Sequence, residues 1–151
     1  MKREAPRRQQ NSSTQTETGA FDAPNGSESI LIVDDEPVVL RLCCSILSRQ
    51  GYQVLSAGNG EDALKLCEEL EKDVNLLLSD IIMPKLKGTD LAERVVRIYP
   101  DIRVLYMSGF DGREIPEYDS LRRTARLIPK PFTPKDLLVA VRAALDNPPI
   151  L

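Results

Sequence analysis

The chain has 151 residues, 42% of them hydrophobic and 28% charged, with a formal net charge of -3 at pH 7 and no histidine. This length suits one domain with a real core, and the slight acidic excess excludes the strongly basic surface on which proteins bind nucleic acid directly. The three cysteines lack the spacing of metal ligands, and their odd number argues against a disulfide framework, so they indicate core residues in a reducing compartment.

The first 28 residues are rich in Arg, Gln, Ser, Thr and Glu, with few apolar side chains and no periodicity. Such a segment cannot bury enough apolar surface to offset the entropy of ordering. We therefore expect a disordered tail or linker at residues 1–28, one domain at residues 29–147 and a short C-terminal tail at residues 148–151. No secretory signal or transmembrane-length apolar run is recognisable, so we expect a soluble, cytoplasmic protein without membrane insertion.

From residue 30 onward, short continuous apolar runs alternate with stretches that are apolar at helical spacing. The runs predict strands at residues 30–33, 52–57, 75–79, 102–107 and 127–128. A first helix is predicted by apolar residues that recur at three- and four-residue intervals before Gly51, namely Val38, Val39, Leu42, Cys43, Ile46 and Leu47. A second helix is predicted to turn inward Ala63, Leu64, Leu66, Cys67 and Leu70.

The second half of the chain adds a third helix over residues 89–99. Residues 111–124 are polar, are interrupted by Pro116 and carry only a weak helical pattern. Thr133 caps a last helix. The inward positions of that helix are Leu137, Leu138, Val141 and Leu145.

Strands that are apolar at successive residues are buried on both faces, and their separation by helices implies right-handed crossovers in a parallel sheet. The sequence therefore predicts an α/β fold, a three-layer sandwich of five parallel strands with helices on both faces. In such sheets functional groups gather outside the carboxyl ends of the strands.

Charged or hydroxylated residues follow four of the predicted strands. They are Asp34, Asp35 and Glu36 after the first strand, Asp80 after the third, Ser108 after the fourth and Lys130 after the fifth. Because the carboxyl ends of parallel strands meet at one edge, we expect these side chains to form one site. Simpler interpretations stay open, since the aspartates could cap a helix, Ser108 could belong to a turn and Lys130 to the surface.

Three carboxylates in one site repel one another unless protons or a cation intervene. Mg2+ or Mn2+ is the expected cation, because hard divalent cations prefer oxygen ligands and Mg2+ usually keeps several waters, which leaves positions open for a phosphate. Lys130 would add a mobile positive charge and Ser108 a hydroxyl donor for phosphoryl oxygens. The arrangement indicates phosphoryl transfer, with the carboxylate of Asp80 as the nucleophile.

The motifs IVDDEP (residues 32–37), LSDIIMP (78–84), MSG (107–109) and KPF (130–132) resemble those of a response-regulator receiver domain, the phosphoacceptor module of two-component signalling. Each motif alone is weak, but four in order at successive strand ends are specific. The resemblance covers residues 29–145, and residues 105–110 resemble the C-terminal receivers of hybrid sensor kinases. It implies a flavodoxin-like sheet and a switch with at most slow self-dephosphorylation, rather than an enzyme.

Carried over residue by residue, the resemblance implies that Asp80 is the phosphoacceptor. Asp35 and Asp80 would ligate the metal with the backbone carbonyl of Ile82, and Asp34 would hold it through water. Lys130 matches the lysine of the family's site, and the peptide bond after it is typically cis in this family.

Ser108 matches the hydroxyl that moves toward the phosphoryl group during switching in this family. One departure is Leu127, which stands where the family usually carries an aromatic ring that turns inward with that movement. Ile82 and Phe110 occupy positions that tune dephosphorylation in similar proteins. Neither side chain can orient an attacking water by hydrogen bonding, so we expect slow loss of the phosphoryl group.

The partner implied by the resemblance is a sensor histidine kinase or a histidine phosphotransfer protein, with a possible homodimer on phosphorylation. The chain could be a single-domain regulator or the receiver portion of a hybrid histidine kinase. A phosphorylation-independent interaction module stays open because of Leu127. An aspartyl-phosphate hydrolase is disfavoured, since Ile82 replaces its second aspartate, and flavin binding is disfavoured because no phosphate loop follows the first strand.

Overall fold

The computed structural model describes residues 25–109 and 125–149, and within these ranges five parallel strands form one sheet. The strands are β1 Ser29–Val33, β2 Gln53–Ala57, β3 Leu76–Asp80, β4 Arg103–Ser108 and β5 Arg126–Pro129. The helices are α1 Pro37–Arg49, α2 Gly60–Glu69, α3 Gly88–Ile98 and α4 Pro134–Asp146. The helix predicted within residues 111–124 lies outside the described residues. None of the described helices is long and apolar enough to cross a membrane.

The strand order is β2-β1-β3-β4-β5, so the chain direction across the sheet reverses beside β1 and β3. Such a reversal is the topological switch point where open α/β sheets place their ligands. The predicted flavodoxin-like fold is confirmed, and it sets β1 and β3 side by side with the aspartates at their ends.

Alternate residues of each strand enter separate cores on the two faces of the sheet. One core holds Leu31, Val33 and Leu77 against residues of α2 and α3, namely Ala63, Cys67, Leu91, Ala92 and Val95. The other holds Ile30, Ile32, Leu76 and Leu78 against residues of α1 and α4, namely Cys43, Leu47, Leu137, Leu138 and Val141. Both faces are covered, which explains the continuous apolar runs and completes the predicted three layers.

The predicted first helix is present as α1, and only part of its apolar pattern faces the sheet. Val38 and Leu42 are 67% and 46% exposed, whereas Cys43 and Leu47 are fully buried. On a helix of 3.6 residues per turn, Val38 and Leu42 lie about 140° and 100° around from Cys43, outside the strip that contacts the sheet. Both residues belong to the apolar pattern that predicted the helix, but they do not contact the sheet and form an exposed apolar edge of α1.

All three cysteines are free. Cys43 and Cys67 are buried in the two separate cores, and Cys44 is partly buried beside Cys43. Burial raises the pKa of the Cys43 thiol to about 12, so this side chain stays a neutral core group. These positions agree with the sequence interpretation of small core residues.

Candidate functional site

Asp80 is the last residue of β3, the middle strand of the sheet, and it pairs with Met107 of β4. The residue is only 8% exposed. The chain stays pinned after it, because the Ile81 amide donates to the Met107 carbonyl at 3.1 Å and the Gly88 amide donates to the Ile81 carbonyl at 2.7 Å. Asp80 therefore presents its carboxylate from a rigid strand end at the centre of the carboxyl edge.

Gly88, the first residue of α3, lets this helix approach the end of β3. A Cβ atom at this position would collide with the carbonyl oxygen of Asp80 and crowd Ile81. Only glycine permits so close an approach of two backbones. Gly88 thus belongs to the scaffold that holds Asp80, and the sequence analysis gave it no role.

Lys130 reaches the same point from the end of β5. Its amide donates to the Ser108 carbonyl at 2.7 Å, and its peptide bond to Pro131 is cis, as the resemblance implied. The Lys130 Nζ lies 2.9 Å from Asp34 Oδ2 and 3.4 Å from Asp80 Oδ2. The ammonium group, on a side chain that is only 14% exposed, therefore bridges the two buried carboxylates.

Asp34 follows β1 directly and is fully buried. Its Oδ1 accepts a hydrogen bond from the Glu36 amide at 2.9 Å, and its own amide donates to the Ala57 carbonyl at 3.3 Å. One carboxylate oxygen therefore shapes the loop that enters α1, while the other faces Lys130. Asp34 thus shapes the turn before α1 and lines the site, but it does not cap the helix, because the N-cap is Glu36 and no side chain makes a capping hydrogen bond there.

The electrostatics of Asp80 differ from those of a surface aspartate. The pKa of Asp80 is raised to about 6: burial is the largest cause, the charges of Asp34 and Asp35 add to it, and the charge and hydrogen bond of Lys130 oppose it. Burial opposes the charged form of Lys130, but the hydrogen bond with Asp34 and the charge of Asp80 outweigh it and raise the pKa of this lysine. Near pH 7 the site thus holds the ammonium of Lys130 and the carboxylate of Asp80, which is ionised although burial disfavours its charged form.

The donor set fits a hard divalent cation. Carboxylate oxygens of Asp34, Glu36 and Asp80 all lie within 4.8 Å of one another. Oxygen ligands of this kind, with negative charge in excess of Lys130, suit Mg2+ or Mn2+. Asp35 is exposed and outside this group, although its charge acts on Asp80.

The remaining predicted site residues are placed as follows. Ser108 is 3% exposed at the end of β4, and its hydroxyl donates to the Gly109 carbonyl at 3.4 Å. The side chain of Ile82 is half exposed just beyond Asp80. Leu127 lies on β5, packed against the core that contains Tyr106. Phe110 lies outside the described residues.

Glu36 is a strand-end acid to which the sequence analysis gave no role in the site. Its Oε1 accepts a hydrogen bond from Lys130 Nζ at 3.2 Å. The third acid of the run Asp34-Asp35-Glu36 was a signal, but it stands where a helix begins, and acids at helix N-termini have a simpler explanation in the helix dipole. The structure brings together Asp34, Glu36, Asp80 and Lys130 in direct contacts.

Comparisons with known proteins give one consistent answer. The sequence model of the response regulator receiver domain matches residues 30–142. The sensor kinase CckA of Brucella abortus is 31% identical over 123 residues, which are 82% of this chain but 13% of that protein. The response regulator receiver protein CpdR of Brucella abortus is 31% identical over 116 residues, which are 77% of this chain and 95% of that protein.

A solved structure agrees with these two relatives. The CheY-like response regulator receiver domain protein of Methanospirillum hungatei JF-1 is 32% identical, with a TM-score of 0.68. The match covers 80% of this chain and 95% of that one. Likeness at this level concerns the domain, and the chain spans only a small part of the sensor kinase.

Proposed function

The chain belongs to the response regulator receiver family of two-component signalling, and we propose that it is a phosphorylation-dependent switch in which Asp80 accepts a phosphoryl group from a phosphohistidine. Receivers of this family act with histidine kinases or phosphotransfer proteins as phosphoacceptors. The observation that carries the proposal is the carboxylate of Asp80, almost buried at the centre of the carboxyl edge with Lys130 Nζ at 3.4 Å.

In the proposed reaction an ionised oxygen of Asp80 attacks phosphorus, a P–O bond forms, and the P–N bond of the donor breaks. The donor nitrogen keeps the electron pair of that bond and takes up a proton. Lys130 supplies positive charge for the oxygens of the transferring group, and the rigid end of β3 keeps the nucleophile in place. The product is an aspartyl phosphate in a site with limited access to water.

A divalent cation would be held by Asp34 and Asp80, and it would supply positive charge that offsets the repulsion between the carboxylates and the incoming phosphoryl group. Asp35 and the backbone carbonyl of Ile82 remain proposed ligands. Without metal, the positive charge near Asp80 does not fully offset the cost of ionising this buried carboxylate, as its pKa of about 6 indicates. A bound cation would add the missing positive charge.

Switching is proposed to use the Ser108 hydroxyl, which must leave its bond to the Gly109 carbonyl to reach a phosphoryl oxygen. Leu127 replaces the usual ring, so the response must differ from the usual exchange of an aromatic side chain. Slow self-dephosphorylation is part of the proposal, because Ile82 has no group that could orient water. A half-life as short as that of fast chemotaxis-type receivers would contradict it.

The exposed apolar edge of α1 suits the helical surface of a kinase or phosphotransfer partner. An apolar recess of about 550 Å³ opens beside Lys130 and includes Leu42 and Phe132 in its wall. Val38 extends this surface at 67% exposure. Partner docking here would bring a phosphohistidine to Asp80, and the free cysteines fit a reducing cytoplasm.

Two forms of this function are open to experiment. The match with CpdR favours a single-domain regulator, and the match with CckA favours the receiver portion of a hybrid histidine kinase. Residues 29–147 are the proposed domain in either form. Homodimerisation on phosphorylation is proposed for either form, while an interaction module that needs no phosphorylation is the outcome if the chemistry fails.

The test is intact mass after incubation with Mg2+ and phosphoramidate, a small donor whose P–N bond resembles that of phosphohistidine. We expect one phosphoryl adduct on the wild type and on Asp101→Asn, an exposed control on the loop before β4, and none on Asp80→Asn. Equal labelling of Asp80→Asn and wild type would overturn the proposal.

A further inference from the structure

Glu36 completes a ring of three carboxylates around one ammonium group. Lys130 Nζ lies 2.9 Å from Asp34 Oδ2, 3.2 Å from Glu36 Oε1 and 3.4 Å from Asp80 Oδ2. An ammonium has three N–H donors, and here two hydrogen bonds go to Asp34 and Glu36 while Asp80 completes the group as an ion pair. In the cation-free protein Lys130 therefore occupies the position of a cation among these acids.

The three carboxylates differ in their freedom to move. The side chain of Glu36 is 60% exposed, against 0% for Asp34 and 11% for Asp80. The backbone of Glu36 is held independently, because its amide donates to Asp34 Oδ1 at 2.9 Å. Although Glu36 stands at the N-cap of α1, its side chain makes no capping hydrogen bond. Its carboxylate can therefore change partner without loss of packing.

The same three carboxylates could serve a divalent cation, since their oxygens lie within 4.8 Å of one another. An ammonium and a divalent cation at this distance repel strongly in a partly buried site. Lys130 must therefore leave at least one carboxylate when such a cation is bound. Asp34 is locked by burial and by its bond to the loop, so the exposed Glu36 is the ligand that can exchange.

We propose that Glu36 is a positioning residue that holds the Lys130 ammonium in the cation-free protein and turns to the divalent cation when that cation binds, which frees Lys130 for the phosphoryl group on Asp80. This inference rests on the proposed function, because the freed ammonium needs a phosphoryl group to receive it. It gives the third acid of the run Asp34-Asp35-Glu36 a role of its own.

The test is a Mg2+ titration followed by the NMR signal of the Lys130 side chain in wild type, Glu36→Gln and Glu69→Gln. Glu69→Gln is a matched control, because Glu69 is exposed at the far end of α2 and its replacement changes the net charge equally. In Glu36→Gln we expect the Lys130 signal to be displaced already without metal. We also expect the Mg2+ concentration at the titration midpoint to rise about tenfold, which is the lower end of the loss in metal affinity when residues that orient metal ligands are replaced. The control should match the wild type.

The inference is overturned if the Mg2+ midpoint of Glu36→Gln lies within about twofold of the wild type, or if both variants weaken binding equally. Urea unfolding of each variant checks that the protein is folded. We expect no folding defect in Glu36→Gln, because the side chain of Glu36 is largely exposed. Failure of the wild type to take a phosphoryl group would instead refute the proposed function. If the Mg2+ midpoint still depended on Glu36 in that case, the proposed change of partner of the Glu36 carboxylate, from Lys130 to the cation, would still stand.

Discussion

Two clusters of charged side chains lie at the opposite ends of the strands, and they differ in how well positive charge balances their carboxylates. The carboxyl-edge cluster consists of Asp34, Glu36, Asp80 and Lys130. The amino-edge cluster consists of Glu28, Tyr52, Arg142 and Asp146, and it ties the residues before β1 to the end of α4. In the first cluster three acids share one lysine, while in the second a five-donor guanidinium serves two acids and a hydroxyl.

The amino-edge cluster is electrostatically satisfied. Arg142 Nη2 lies 2.6 Å from Glu28 Oε2 and 2.8 Å from Asp146 Oδ1, and Arg142 Nη1 donates to Tyr52 Oη at 3.2 Å. The hydrogen bond from Arg142 lowers the pKa of Glu28, so the charged form is the stable one.

In the carboxyl-edge cluster the charged form of Asp80 is disfavoured, since its pKa is raised to about 6, chiefly by burial, despite Lys130. Charge alone therefore does not mark a site. A buried carboxylate whose charged form is disfavoured does, because it gains most from a cation or a phosphoryl group.

The largest expected effect is on the satisfied cluster. Arg142→Ala should lower the free energy of unfolding by about 2 kcal/mol, because it removes hydrogen bonds to Glu28, Asp146 and Tyr52 that are only partly open to solvent. Urea unfolding measures the loss. Arg97→Ala, at an exposed position in the last turn of α3, is the control and should change stability by less than about 0.5 kcal/mol.

Removing charge from the other cluster should act in the opposite direction. Asp80→Asn should raise the free energy of unfolding in EDTA at pH 7.5 by about 1–2 kcal/mol, because the wild-type carboxylate is harder to ionise in the fold than in the unfolded chain. Asp101→Asn is the matched control. An Asp80→Asn protein that is no more stable than wild type would show that Lys130 already balances the site.

The pH dependence separates the clusters further. A raised pKa means that the contribution of Asp80 is fully present at low pH and is lost between about pH 4 and its folded value of about 6. The lowered pKa of Glu28 gives a contribution that is present at neutral pH and lost as the pH falls through that pKa. We therefore measure unfolding midpoints against pH. Asp80→Asn should no longer show the loss of stability between about pH 4 and pH 6, and Glu28→Gln should no longer show the loss at acidic pH.

The smallest expected effect is that of metal. Mg2+ at about five times its dissociation constant should stabilise the wild type by about 1 kcal/mol, because it binds only the folded site. Arg142→Ala should show the same gain, and Asp80→Asn should show almost none. Thermal unfolding with and without EDTA compares the three proteins.

Much of the site could be predicted from strand ends. Asp34, Asp80 and Lys130 each follow a short apolar run, and the parallel sheet brings such ends together without further information. Glu36 belongs to the same strand end, but its role could not be predicted, because that role depends on where the side chain of Lys130 lies, and a lysine with four methylene groups has many reachable positions.

The order of strands and helices could be predicted from the sequence, but the contacts that depend on the direction of individual side chains could not. Periodicity made Val38 and Leu42 apolar positions of a helix, but it could not show which strip of α1 faces the sheet. Gly88 needed the approach of α3 to β3 before its lack of a side chain had a meaning. The amino-edge contacts of Glu28 with Arg142 join residues 114 positions apart, and no local pattern announces them.

The most direct test of the account is to trap the acyl phosphate chemically. After incubation with Mg2+ and phosphoramidate, borohydride reduces an aspartyl phosphate to homoserine, and peptide mass mapping locates it. We expect homoserine at position 80 alone, in the wild type and equally in Arg142→Ala. Homoserine at position 34 or 35, or at no position, would contradict the claim that Asp80, the buried carboxylate whose charged form is disfavoured, is the phosphoacceptor.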